Sequence, residues 1–219
     1  MSPGRARIVN AIADGLGVEA LSLVRLSAKL GGGREDWAAC LREARAGATD
    51  VAIEEIILQS YLFVGFPRVL NVLGTWRQIV EPPTASADPG LESRRKGGEA
   101  LCRRIYGPAY ERLRAHVAAL NPDLDRWMIE EGYGKTLSRP SLGPILRELC
   151  VVALLATAGH EPQLRSHLRG ALNVGAAAAH VAEALEIGLA EADRPAVARP
   201  DPVVLREAWA EVRVKARVD

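Results

Sequence analysis

A chain of 219 residues can bury a sizeable core in one or two domains, and its 48% hydrophobic and 25% charged residues are ordinary for a globular protein. A formal net charge of +1 leaves no field to recruit nucleic acid or an anionic membrane. Its three cysteines, Cys40, Cys102 and Cys150, are far apart and form neither a Cys-x-x-Cys nor a metal-type Cys/His spacing, which points to a reducing, cytoplasmic setting.

In chain order nearly every segment reads as helix. The opening "MSPGRARIVNAIADGLG" lacks the apolar run of a secretory leader. Val18 to Leu30 carries apolar residues at 18, 21, 23, 24, 26, 28 and 30, and "GGG" at 31–33 then breaks it. Asp36 to Ala46 is a second helix, ended by Gly47. "TDVAIEEIILQSYLFVG" starts on a Thr/Asp cap and runs as a third, and Pro67 opens a fourth through "RVLNVLGTWRQIV". Residues 81–98, "EPPTASADPGLESRRKGG", are rich in Pro, Gly, Ser and charge and read as a linker or loop. Two or three helices follow, broken at Gly107-Pro108 and Asn121-Pro122, and "YGKTLSRPSLGP" reads as a second loop. Leu142 to Ala158, Pro162 to Val174 and about Ala179 to Ala190 are the last long helices, with one more in "DPVVLREAWAEVRVKARV". The longest apolar run, "CVVALLATAG", is about half of what a membrane span needs. No run alternates with period two between turn signals, so the expected fold is all-α.

The chain also repeats itself. Moving residues 18–58 forward by 128 positions puts Leu21 on Leu149, Val24 on Val152, Leu26 on Leu154 and Ala28 on Ala156. The same shift matches Gly31 to Gly159, Gly47-Ala48 to Gly175-Ala176 and Glu55 to Glu183. Both copies read helix, glycine turn, helix, glycine stop, then a helix with an internal Glu. Neither copy buries its apolar face alone, whereas two can pack together.

The second copy holds the candidate chemistry. Glu148 lies 11 residues before the turn at Gly159 and His167 lies 8 after it. In an antiparallel hairpin rising about 1.5 Å per residue, the two sit at similar heights and face the helix interface. A carboxylate there must be paired or protonated. The pair is either a proton-transfer couple or an ion pair that locks the hairpin. Gln163 is one turn before His167. His160 stands in the turn "AGHEP", at a pocket mouth or in solvent. His160, His167 and Glu148 make only a weak metal set, so no metal and no cofactor are expected. Arg139, Arg147, Arg165 and Arg169 are the candidates to grip a substrate carboxylate; Arg139, in a loop, is preferred, and Arg147 and Arg165 read as surface charges. In the first copy the positions matching Glu148, Gln163 and His167 are Ala20, Glu35 and Ala39, so no Glu/His pair forms there. That copy offers Glu55, Gln59 and Tyr61 to a shared pocket, unless Glu55 is a buried carboxylate satisfied by an arginine or a helix end. His116 and His180 have no partner in view and read as structural or exposed.

The run "YGKTLSRPSLGPILRELCVVALLATAGHEPQLRSHLRGALNVGA" resembles the core of the carboxymuconolactone decarboxylase family, through Arg139-Pro140, Arg147-Glu148-Leu149, Gln163-Leu164 with His167, and Gly170 to Gly175. "GATDVAIEEIILQSYLFVGFPRVLNVL" is similar to the other end of the same domain. The resemblance implies two related units of the type found in the alkyl hydroperoxide reductase partner AhpD: residues 1–80, a linker at 81–98, and residues 99–219. In the peroxidase branch of that family a Glu, a Cys-x-x-Cys and a His act together, and the cysteine positions fall here on His160 and Gln163. Without a thiolate the peroxide chemistry loses its nucleophile. The other branch decarboxylates a lactone acid without cysteines. The resemblance therefore implies a cofactor-free lyase or isomerase on a small carboxylated or lactone-like compound. Glu148 and His167 would be catalytic, and Arg139, His160, Gln163, Glu55 and Gln59 would bind substrate. It also implies a homo-oligomer with no nucleic-acid or membrane partner. A thiol-dependent antioxidant and a non-catalytic oligomeric scaffold are the alternatives.

Overall fold

The computed structural model describes residues 15–32, 36–192 and 201–216. Among them no strand forms, and the all-α expectation holds. The elements are α1 (Val18–Gly32), α2 (Trp37–Arg45), α3 (Asp50–Trp76), α4 (Leu91–Tyr106), a 3-10 turn (Gly107–Ala109), α5 (Tyr110–Leu120) and α6 (Pro122–Trp127). A π-helix (Met128–Leu137), α7 (Pro144–Ala158), α8 (Glu161–Asn173), α9 (Ala178–Ala192) and α10 (Pro202–Lys215) follow among the described residues.

Local chemistry sets most of the helix ends. Asp36, Thr49, Asn121 and Asp201 accept hydrogen bonds from backbone N–H groups in the first turns of α2, α3, α6 and α10. Pro144 stands in the first turn of α7, where its missing N–H costs nothing, and Gly159 ends that helix in the left-handed conformation, φ 80°. Gly65, at φ 79° and ψ 163°, breaks α3 into two limbs, and Pro67 starts the second. By length and composition alone α3 could cross a bilayer. It carries Glu54 and Glu55, and its Ile53, Ile56 and Ile57 are fully buried in the protein core.

The core is built round α7. Every side chain from Leu149 to Ala156 is buried, and a helix that is apolar all round has to be enclosed by other helices. It is packed by α1, α3, α8 and α9. Small residues bring two of these backbones close. A Cβ on Gly31 of α1 would stand 2.5 Å from the Leu154 carbonyl oxygen, and one on Gly188 of α9 would stand 2.4 Å from that of Ala153. One cluster thus takes residues from Leu23 in α1 to Val212 in α10. A smaller cluster joins Cys102, Ile105, Tyr110, Ile129, Tyr133, Leu137 and Val174 between α4, the π-helix and the end of α8.

Two pairs of element ends fall at the 128-residue spacing, and other pairs do not. Asp50, which starts α3, and Ala178, which starts α9, are 178 − 50 = 128 apart, and Arg45 and Asn173, which end α2 and α8, are 173 − 45 = 128 apart. The matched glutamates have different partners: Glu55 meets arginines, whereas Glu183 accepts the Leu16 N–H at 2.8 Å.

Two loop expectations need correction. Only residues 81–90 of the expected 81–98 linker are irregular, since α4 starts at Leu91. Gly97-Gly98, which reads as loop chemistry, lies inside this helix because α4 and the π-helix touch backbone to backbone. A Cβ on Gly98 would fall 2.3 Å from the Ile129 carbonyl oxygen, and one on Gly134 would fall 2.2 Å from that of Arg94. The second loop, expected from Tyr133, begins only after Leu137, where the π-helix ends.

This contact yields a paired prediction. Gly134→Ala forces a methyl against a backbone carbonyl and lowers stability by about 1–3 kcal/mol. Gly132→Ala, two residues away with open space at its Cβ, changes it by less than about 0.5 kcal/mol. Denaturant unfolding of the two variants beside the parent protein measures the difference.

Candidate functional site

The turn at Gly159 folds α8 back along α7, and Glu148 meets His167 across the hairpin. Glu148 Oε2 lies 2.9 Å from His167 Nδ1, with the two residues only 1% and 5% exposed. Gly170, one turn after His167, makes room for the carboxylate: a Cβ there would stand 2.8 Å from Glu148 Oε2 and 2.6 Å from Ile105 Cγ2. The imidazole is held between two aromatic rings at steep angles, Phe63 at 6.0 Å and Tyr106 at 6.4 Å. With Glu148 ionised and the imidazole neutral, the tautomer that suits this contact carries its proton on Nδ1 and leaves the Nε2 lone pair free.

His167 lines a cavity of about 470 Å³. Tyr61, Leu62, Phe63 and Phe66 of α3 form one wall, Leu124 and Trp127 of α6 another, and Met128, Tyr133 and Leu137 of the π-helix a third. Glu148 does not line it and lies behind the imidazole. The Tyr133 hydroxyl donates to that of Tyr106 at 3.1 Å, and the Tyr61 hydroxyl is 3.1 Å from Thr136 Oγ1. Burial pushes the Tyr106 phenol up to about 12 and that of Tyr133 upward too, so both stay protonated at neutral pH.

The other expected substrate-binding residues gather elsewhere. Arg139 donates through Nε to both Glu55 oxygens, at 2.9 and 3.0 Å. Arg147, expected at the surface, is 2% exposed and saturates its guanidinium. It donates to Glu55 Oε2 at 2.6 Å, Gln59 Oε1 at 3.1 Å, and the carbonyls of Leu142 and Arg139 at 3.2 and 3.0 Å. Arginine is almost never fully buried without a partner, and here the partner is 92 residues distant in sequence. Glu55, Gln59 and Arg139 therefore form a structural ion cluster, and none of them lines the His167 cavity. His160 caps α8 in an exposed position, and Gln163 is exposed as well; neither reaches the cavity. Arg165 pairs with Glu161 and Glu211 on the outer side of α8. Ala20 is partly buried in α1 and Ala39 is exposed on α2, while Glu35 lies outside the described residues.

All three cysteines are free and buried. Burial pushes the Cys102 thiol up to about 12 and that of Cys150 upward as well, the reverse of what a peroxide nucleophile needs. Among the described residues no three His, Cys, Asp or Glu side chains come together as a metal-binding group.

The wall that sequence reasoning missed is Leu124 to Leu137. No helical stripe of period 3.6 marks it, because part of it winds as a π-helix. The available signal was a cluster of large side chains, Leu124, Trp127, Met128 and Tyr133, in a region with no assigned role.

The profile of the carboxymuconolactone decarboxylase family matches residues 122–199, which include the cavity wall of the π-helix and the whole Glu148–His167 hairpin. The chain is also similar to Peroxisomal protein 2 of Schizosaccharomyces pombe. The two are 31% identical over 143 residues, which cover 63% of this chain and 67% of that protein.

The ion cluster makes a pH prediction. Burial alone would raise the Glu55 pKa, but hydrogen bonds and charge from Arg139 and Arg147 outweigh it and hold the carboxyl below its ordinary value of 4.5. A carboxylate lowered by folding stabilises the protein fully above its unfolded value, and that contribution is lost as pH falls through the folded value. Glu55→Gln strands the buried Arg147 charge, lowers stability at neutral pH by about 3–5 kcal/mol, and flattens the loss of stability below pH 4.5. Urea unfolding of both proteins on either side of that pH checks the sign.

Proposed function

The chain belongs to the carboxymuconolactone decarboxylase family, and on that premise we propose that it is a cofactor-free acid–base enzyme, a lyase or isomerase, with His167 as the group that meets substrate. One observation carries this reading: His167 opens onto a cavity while its Nδ1 is held by a buried carboxylate. An ion pair needed only to lock a hairpin has no use for such an opening.

In this reading His167 Nε2 removes a proton from a carbon next to a carbonyl. The resulting enolate takes the proton back at the same or a conjugated carbon. In a decarboxylation His167 Nε2 first takes the proton of the substrate's carboxylic acid, the electron pair of the breaking C–CO₂ bond becomes a dienolate, and the imidazolium returns that proton to the carbon that lost the carboxyl group. Glu148 is a positioning residue: it sets the tautomer and stabilises the imidazolium formed in either case. Arg139 and Gln59 are engaged with Glu55 and Arg147 away from the His167 cavity, which supports a site without the guanidinium grip expected from sequence.

Three further features belong to the same proposal. The matched helix ends support a tandem origin, with residues 1–80 as a degenerate unit that supplies the α3 wall. Self-association follows from the resemblance, and light scattering at micromolar concentration reporting a lone monomer would overturn it. Buried, unpaired thiols support a reducing cytoplasmic setting. The name of the Schizosaccharomyces pombe relative makes the peroxisome the competing location, and a fluorescent fusion separates the two.

The catalytic reading is tested by solvent deuterium exchange, followed by NMR, at the α-carbons of small ketones, lactones and acids. The protein accelerates exchange, and His167→Ala lowers the acceleration about 10²-fold or more. Glu148→Gln lowers it less and moves the acidic limb of its pH profile, as expected of a group that acts through the imidazole. Equal exchange by the parent protein and His167→Ala overturns the proposal.

A further inference from the structure

The cavity in front of His167 also restricts what that imidazole meets, an inference that rests on the proton-transfer reading. Its walls are mainly the side chains of Leu62, Phe63, Leu124, Trp127, Met128 and Leu137. Its charged residues cancel: Lys135 donates to Glu131 at 3.0 Å, and Glu131 also accepts from Arg94 at 3.3 Å. No arginine lines it among the described residues, and the nearby arginines 139 and 147 are committed to Glu55. The two tyrosine hydroxyls on the wall already have partners. Among the described residues His167 Nε2 has no hydrogen bond, so it is open to a ligand.

We infer that the ligand of this cavity is a neutral or nearly neutral carbonyl compound with an aromatic or branched apolar body, whose single polar group meets His167. A polycarboxylate fits badly, because most of its charge would lose water against carbon, and the wall cation Lys135 is already paired with Glu131. The volume of about 470 Å³ suits a molecule of one or two rings, within the usual range of small-molecule sites. The apolar mouth is consistent with such a body entering from water. Phe66, Leu124 and Trp127 are 64%, 49% and 52% exposed there.

Trp127 on the wall serves as the reporter. The full-length protein is titrated with benzylacetone, a neutral aryl ketone, and with adipate, a dianion of similar length, and tryptophan emission is followed. Benzylacetone gives saturable quenching and adipate gives none. Trp127→Phe removes the signal, while calorimetry still reports benzylacetone binding. Leu124→Glu, at the half-exposed mouth, weakens benzylacetone about tenfold or more with an unchanged circular dichroism spectrum. Adipate binding more tightly than benzylacetone overturns the inference, as does benzylacetone binding that Leu124→Glu leaves untouched. The mouth belongs instead to a second copy of the chain if emission changes with protein concentration alone, Leu124→Glu abolishes a dimer in light scattering, and the ketone has no effect. His167→Gln separates this inference from the catalytic one. Exchange that survives the substitution while benzylacetone still binds defeats proton transfer alone, whereas adipate displacing benzylacetone defeats the ligand class alone.

Discussion

Two adjacent charges in the first turns of α7, at the entrance to its fully buried stretch Leu149 to Ala156, organise this molecule. Arg147 and Glu148 enter the core together on α7, and neither can remain there unpaired. Successive helical residues point about 100° apart, so the two need partners from different neighbours. Arg147 takes Glu55 and Gln59 from α3, and Glu148 takes His167 from α8. Each pairing fixes one neighbouring helix against α7 and sets its register along it.

The two pairings have different characters. The Arg147 side is saturated: the guanidinium uses its donors on a carboxylate, an amide and two carbonyls, and Arg139 covers the same carboxylate from outside. A cluster of that kind specifies how segments dock and leaves nothing for a ligand. The Glu148 side is saturated at one ring nitrogen only. The second nitrogen has no hydrogen-bond partner among the described residues, and His167 lines the cavity between the π-helix and α3. Two consecutive residues of α7 thus carry one pairing enclosed by the core and one that borders a cavity.

The aromatic neighbours extend this separation. Phe63 and Tyr106 hold the imidazole by ring contacts, so its orientation does not rest on the Glu148 hydrogen bond alone. Tyr106 in turn is held by Tyr133, a cavity wall residue on the π-helix. The π-helix is held against α4 by the glycine contact at Gly98 and Gly134. Packing in the smaller core is thereby connected to the geometry of the cavity.

Much of this was legible from sequence because it depends on local rules. Apolar spacing, the cap at Thr49, the break at Asn121-Pro122 and the stops at Gly47 and Gly159 place most helix ends within a few residues. The meeting of Glu148 and His167 follows from one turn and the helical rise, so counting residues on either side of Gly159 suffices. What only the tertiary structure decided lies between distant segments. The carboxylate that buries Arg147 is 92 residues away, and the glycines of α4 read as a loop until the backbone they touch is known. The cavity forms from a π-helix with no 3.6-residue stripe and from a helix limb ended by Gly65. The physical reason is the range of the forces involved. Hydrogen-bonded turns and side-chain periodicity act over a few residues and are written in order along the chain, whereas desolvated charges and close backbone contacts take whichever partner the completed fold brings near.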